Sequence, residues 1–304
     1  MRMVLTQVSA FFKQPFFHKV NLTLEMIKVS HTLFALPFAL LAFALASAEG
    51  SQFSGWLLLK IILSVLWARA CAMTFNRLVD TDIDQKNPRT RQRPLAQGTL
   101  SRSFGIGFCV VTGVFFVATA ATINPLCGFL AIPTLAVLCS YSFTKRFTAL
   151  SHFFLGFSLA LAPLGAVVAV SGKWPWSFLP LALAVLLWVA GFDIIYATQD
   201  ETFDRGERLH SLVVRLGRFK ALWIARWCHA AMVVALIIFG RTQPRLGLAY
   251  GLTVGAVAVL LAIEHRVVNP QDPRLDLQKV NLAFFRINAV VSLLLLAAGL
   301  MDIL

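Results

Sequence analysis

Long apolar runs recur from one end of the chain to the other, and charged residues punctuate them. Lys28 and Glu49 bracket 20 residues without a charge, Arg146 and Lys173 bracket 26, and Lys173 and Asp193 bracket 19. Between Arg102 and Lys145 there are 42, too many for one span and divided by Asn124-Pro125. A helix rises about 1.5 Å per residue, so about 20 apolar residues cross the hydrocarbon of a bilayer. The pattern predicts nine membrane helices, over roughly 29–48, 56–78, 104–122, 125–142, 148–170, 177–198, 219–240, 246–266 and 284–302. The second and seventh are the least uniform, because Lys60 and Arg69 fall in one and Lys220 and Arg226 in the other. Residues 1–20 lack the basic start, apolar middle and cleavage site of a signal peptide. Their "VSAFFKQPFFHKV" better suits a segment lying at the interface ahead of the first helix. No linker is long enough to divide the chain, so 1–304 reads as one all-α membrane domain.

Composition agrees with that reading. Of the 304 residues 58% are hydrophobic and 13% charged, and the mean hydropathy is +0.76. A soluble chain is about half apolar and about a quarter charged. The formal charge of +13 raises nucleic acid as a partner, but its distribution argues against one. The N-terminus and the loops 2–3, 4–5, 6–7 and 8–9, with adjoining helix ends, hold 22 of the 27 Lys and Arg. The other side holds Lys60, Lys173, Arg241 and Arg245, and Arg69 stays inside the second helix. Such asymmetry marks the basic side as cytoplasmic. The expectation is a multi-pass protein of a bacterial inner (plasma) membrane, surrounded by lipid, with its N-terminus in the cytoplasm. The five cysteines all fall in helices without a CxxC pair and read as free thiols.

The acids are few and grouped. Only 14 residues are Asp or Glu, yet Asp80, Asp82 and Asp84 form one cluster and Asp193, Asp200, Glu201, Asp204 and Glu207 another. Both fall at the cytoplasmic ends of predicted helices, the second and the sixth. Ionisable groups at membrane depth are costly and usually mark function. At about 100° per residue, positions four apart share a face. Arg69, Asn76, Asp80 and Asp84 form one stripe, with Asp82 about 200° away from Asp80. On the sixth helix Asp193, Tyr196, Asp200 and Asp204 share a face and Glu201 turns away. Asn76 to Tyr196, Asp80 to Asp200 and Asp84 to Asp204 are each 120 residues apart, the register an internal duplication would leave.

Paired carboxylates on two facing helices suit Mg²⁺, which takes one or two of them and completes its shell with water and substrate phosphates. Basic segments stand nearby to neutralise phosphate: "QKNPRTRQRP", which includes Arg93, "YSFTKR" with Lys145, and "RGERLHSLVVRLGRFK". A transporter with an intramembrane charge path is the reading from another class. Against it, the acids lie at one membrane face and the two helices lack matching Gly/Pro breaks.

"NRLVDTDID" resembles the NDxxDxxxD motif of the UbiA superfamily of intramembrane prenyltransferases, and "DIIYATQDETFD" fits its DxxYAxxDxxxD motif. "YSFTKRFT" resembles the YxxxKR segment of the same proteins, and "RTRQRPLAQGTLS" their loop after the first motif. Order, spacing and helix number agree over nearly the whole chain. The resemblance implies a ring of nine helices around a cavity open to the cytoplasm, with Mg²⁺ and a polyprenyl diphosphate at its mouth. It implies that Asn76, Asp80, Asp84, Asp200 and Asp204 bind the magnesium diphosphate, that Lys145 contacts the diphosphate, and that Asp193 and Tyr196 lie nearer the acceptor and the ionising bond. Arg69 joins from its stripe position, as a partner for the diphosphate, for an acidic acceptor, or for Asp80. His31 is a candidate cavity residue or an ordinary helix histidine.

The implied reaction is transfer of a polyprenyl group to an aromatic acceptor of the 4-hydroxybenzoate type in ubiquinone or menaquinone synthesis. Two departures bear on the acceptor. Position 77 is Arg where the motif often has Asp, and the first helix opens "KVSHTLFALP", unlike the DKPxG-type opening of many 4-hydroxybenzoate-specific members. "YSFTKRFTALSHFFLG" looks closer to members of the futalosine route to menaquinone, so a naphthoate or futalosine-derived acceptor stays open.

Overall fold

A computed structural model describes residues 15–50, 53–268, 280 and 282–304 of the chain. Residues 1–14, the greater part of the expected interfacial segment, lie outside them; from Pro15 to Met26 the chain is helical (α1). The first span is broken. Val29–Phe34 winds as a 3₁₀ turn, and α2 (Leu36–Ala48) leaves it with a 46° bend between the flanking stretches. Pro37 in the first turn of α2 explains the restart, since it has no N–H to carry the hydrogen-bond ladder back onto the preceding turn.

The second span, α3 (Gly55–Val79), ends one residue before Asp80 and is followed by the short helices α4 (Thr81–Lys86) and α5 (Pro94–Gln97). Four spans follow in close succession: α6 (Arg102–Ala121), α7 (Pro125–Thr144), α8 (Ser151–Ser171) and α9 (Leu179–Ala197). Two more short helices, α10 (Glu201–Gly206) and α11 (Leu212–Leu216), precede α12 (Arg218–Thr242), α13 (Leu248–Val267) and α14 (Asn288–Ile303), the last entered through a π turn. Among the described residues eight helices are long and apolar enough to cross a membrane, and the bent first pair makes nine, with boundaries close to those the hydropathy predicts.

Each span packs on the next, and α14 packs back on α2, so the nine close into a ring. The α2–α8 contact draws the ring in on one side. Its outer surface is apolar: Phe129, Ile132, Trp227 and Leu252 are all exposed. In a lipid-facing wall that is the expected place for them. Trp174 and Trp176 mark the rim opposite the acidic clusters, as membrane-interface tryptophans do.

Without a hydrophobic drive between helices, small residues and buried polar groups hold such a bundle together. Trp188 donates to Asn288 at 2.6 Å, Asn288 donates to Glu264 at 3.1 Å, and His229 meets His265 at 3.0 Å, tying α9, α12, α13 and α14. At the far rim the Asp302 carboxylate accepts from the backbone of Gly247, Ala249 and Tyr250, capping the start of α13. The cysteines are free, as expected. Gly156 lets α8 lie directly on α9: a Cβ there would run into the Leu186 carbonyl, which is backbone and cannot swing aside. Gly156→Ala should therefore cost about 1–3 kcal/mol or more, read as a lower melting temperature in detergent with no change in helicity at low temperature.

Candidate active site

Both acidic motifs sit where the regular α-helix of a span is interrupted. Asp80 follows α3 with φ −93° and ψ 7°, and Asp200 ends the 3₁₀ turn that follows α9, with φ −100° and ψ 2°. Each then opens a six-residue helix that carries the second acid, Asp84 in α4 and Asp204 in α10. The 120-residue register is thus matched by the same local geometry, which supports a repeated half. Both positions bring the carboxylates to the rim of the ring.

Backbone hydrogen bonds from Asp80 to Asn76 at 2.9 Å and from Asp84 to Asp80 at 2.8 Å keep the four-residue helical spacing through the end of α3, but the three side chains have different partners. The Asn76 amide donates to Asp80 at 3.1 Å, whereas Asp84 is bonded by Arg93 through both carboxylate oxygens, at 2.8 and 2.9 Å. Lys145, at the end of α7, lies 3.1 Å from Asp80, and Arg146 lies 3.4 Å from its other oxygen. Arg146 also donates to the Val79 carbonyl at 2.7 Å. Arg77, in place of an acid, is buried and donates to Asn76 at 3.0 Å. Asp82 is exposed and Glu201 turns to Arg205 and Arg218, both as helical geometry predicts.

The two motif helices are not packed as neighbours; a loop joins their sites. Asn87 and Arg89, just beyond α4, reach across to Asp200. Asn87 donates at 3.1 Å and the Arg89 Nε at 2.9 Å, with a second Arg89 nitrogen on the other oxygen. The remaining arm of Arg89 donates to the Tyr196 hydroxyl at 2.8 Å, and its guanidinium lies 5.1 Å from the Tyr196 ring centre. Burial works against the Arg89 charge, but the hydrogen bonds to Asp200 outweigh it and hold the guanidinium protonated above its ordinary range. Lys86 and Glu207 close the same gap at 2.7 Å. Among the described residues Asp204 has no side-chain partner, although Asp200, Lys145 and Arg89 surround it.

Deeper on α9, Asp193 accepts from His152 of α8 at 2.7 Å. Arg69 is not in this group. Eleven residues of helix separate it from Asp80, about 16 Å, and it donates to the Lys28 carbonyl at 3.0 Å. His31 packs between the rings of Phe34 and Phe285, 5.3 and 5.6 Å away.

Asp80, Asp84, Asn76, Lys145 and Arg93 therefore gather on one side, and Asp200, Asp204 and Tyr196 on the other. Arg89, Asn87, Arg146 and His152 were not singled out by sequence. Arg89 is one of several equivalent cations in "QKNPRTRQRP", and nothing local tells which one crosses the gap. His152 carried a weak signal, a lone imidazole in the first turn of an apolar helix.

A family model described as the UbiA prenyltransferase family matches residues 35–289. A 4-hydroxybenzoate octaprenyltransferase of Shewanella amazonensis is 31% identical over 211 residues, which cover 69% of this chain and 72% of the relative. A solved UbiA homolog from Aeropyrum pernix superposes with a TM-score of 0.79 at 30% identity, covering 90% of this chain and 98% of that one. A second, from Archaeoglobus fulgidus and bound to GPP and Mg²⁺, shares the fold at 20% identity with a TM-score of 0.71, over 93% of this chain and 99% of that one. The chain belongs to the UbiA prenyltransferase family and is a multi-pass membrane prenyltransferase.

Proposed function

We propose that the protein transfers a polyprenyl group from a polyprenyl diphosphate to the ring of an aromatic acid of the 4-hydroxybenzoate type, with Mg²⁺ as cofactor, in respiratory quinone synthesis. The site faces the cytoplasm of a bacterial inner membrane in this reading, as the concentration of Lys and Arg on its side of the ring supports. The carrying observation is the pair of Asp motifs, repeated 120 residues apart and surrounded by Lys145, Arg146, Arg93 and Arg89. The name of the Shewanella relative supports the acceptor, and the GPP and Mg²⁺ of the Archaeoglobus structure support the diphosphate and the metal.

The residues fit magnesium. Among the described residues no three acidic, His or Cys side chains converge to hold an ion unaided. Hard carboxylate oxygens spread over two helix ends suit an ion whose shell is completed by water and phosphate. Asp80, Asp84, Asp200 and Asp204 would hold it, with Asn76 beside them. When bound, Mg²⁺ supplies neutralisation of the charge that builds on the departing diphosphate.

The chain's own groups do the rest. Lys145, Arg146, Arg89 and Arg93 are each paired to a carboxylate at the rim, and a diphosphate lying between them offers phosphate oxygens in exchange. They hold the leaving group as the allylic C–O bond breaks. Arg89 fixes the Tyr196 hydroxyl beside that bond. The acceptor ring attacks the allylic carbon, and Asp193 takes the ring proton. Arg69, too deep to share the diphosphate, keeps one buried N–H without a partner among the described residues and is suited to the carboxylate of an acidic acceptor. The apolar ring keeps water from the cation and lets the tail extend toward lipid.

A naphthoate or futalosine-derived acceptor is the second reading, favoured by the "KVSHTLFALP" opening of the first helix and by Arg77. Purified protein, Mg²⁺, polyprenyl diphosphates of several lengths and a panel of aromatic acids decide between them. The expected product is the acid plus one prenyl group by mass. Failure with every aromatic acid would overturn the acceptor class.

A further inference from the structure

His152 takes no part in the reaction as described, yet its ring is fixed on both sides. It is 3% exposed in the first turn of α8, and its Nδ1 stands 2.7 Å from the Asp193 Oδ2. A carboxylate only accepts, so the proton of that bond is on Nδ1. Nε2 is then an acceptor, and what faces it is the backbone N–H of Leu212, at 3.5 Å. The ring thus bridges α8, α9 and the start of α11 as a neutral imidazole of one tautomer. Buried and bonded at both nitrogens, it cannot itself touch a substrate. Asp193 can: its side chain is 19% exposed, and among the described residues its Oδ1 has no partner.

We infer that His152 is a positioning residue for Asp193: its Nδ1–H holds Oδ2 and leaves Oδ1 aimed for the acceptor's ring proton. The inference rests on the reading of Asp193 as proton acceptor. In that step the ring C–H breaks, its electron pair restores the aromatic ring, the proton goes to Oδ1, and His152 keeps its own. An orienting partner of this kind is worth about 10–100-fold in activity, as outer-shell partners of functional groups are.

His152→Leu should lower kcat about tenfold or more while the KM for the prenyl diphosphate stays within about twofold. His152→Asn places its amide N–H where Nδ1 stands, two bonds from Cβ, and should recover most of the rate, whereas His152→Gln, whose donor lies one bond further out at the Nε2 position, should not. In the Leu variant, deuterium at the prenylated carbon of the acceptor should give a larger isotope effect than in wild type, because proton removal has become slow. A merely structural role would not produce that change. D193N/H152L should be no slower than D193N, the mark of two residues acting as a unit. If H152L fails to elute as a single species, the Gln and Asn variants carry the same contrast. A wild-type rate in D193N removes the reading of Asp193 and this inference with it. An impaired D193N beside a normal H152L, an impaired H152N, or losses that add in the double variant overturn the inference alone.

Discussion

Asp80→Ala and Asp200→Ala should each reduce prenyl transfer by about 10³-fold or more, to background, while the helical ring stays folded. Charge aimed at the developing transition state is commonly the largest single contribution to catalysis, about 10²–10³-fold for one group. In the proposed mechanism each of these aspartates would supply an oxygen to the metal, and each anchors cations in the structure. Asp80 is 2% exposed and gathers Asn76, Lys145 and Arg146; Asp200 gathers Asn87 and Arg89. The fold survives because those cations stand at the rim, where water replaces the lost partner; the Lys145 and Arg146 side chains are 34% and 41% exposed. Product formation checks the first claim, and elution as a single species with unchanged helicity checks the second. Turnover within tenfold of wild type in either variant would contradict it.

Arg89→Ala has the next largest effect, about 10²-fold in kcat. This guanidinium joins the two halves of the site: it bonds both oxygens of Asp200 and the Tyr196 hydroxyl from the loop that follows the first motif. Without it Asp200 loses its main counter-charge and Tyr196 its fixed orientation. Arg89→Lys should recover little, since an ammonium on a flexible stem cannot reproduce three donors in a planar fork. Steady-state rates of the two variants check this; a lysine variant at half the wild-type rate would argue for a simple charge requirement instead.

Much of this arrangement was legible in the sequence, and the reason is that membrane helices are written locally. Apolar runs and the Asn124-Pro125 divide predict nine spans whose ends differ from the observed ones by a few residues. Helical periodicity correctly turned Asp82 and Glu201 away from the clusters. The same periodicity gives a face and not a depth: Arg69 shares the face of Asp80 but lies eleven residues, about 16 Å, along the helix, and binds the Lys28 carbonyl, where the first span is broken. Arg89, Asn87 and His152 depend on contacts between residues 41 to 113 positions apart, which no local pattern encodes. The broken first span was foreshadowed by Pro37 alone.

Pyrophosphate release tests the central claim most directly. With purified protein in detergent or vesicles, release from a polyprenyl diphosphate should require both Mg²⁺ and an aromatic acid, should match prenylated product one for one, and should stop on chelation and resume when Mg²⁺ is restored. Prenylated product formed at the same rate after chelation, or pyrophosphate released without prenylation of any acceptor, would contradict the account.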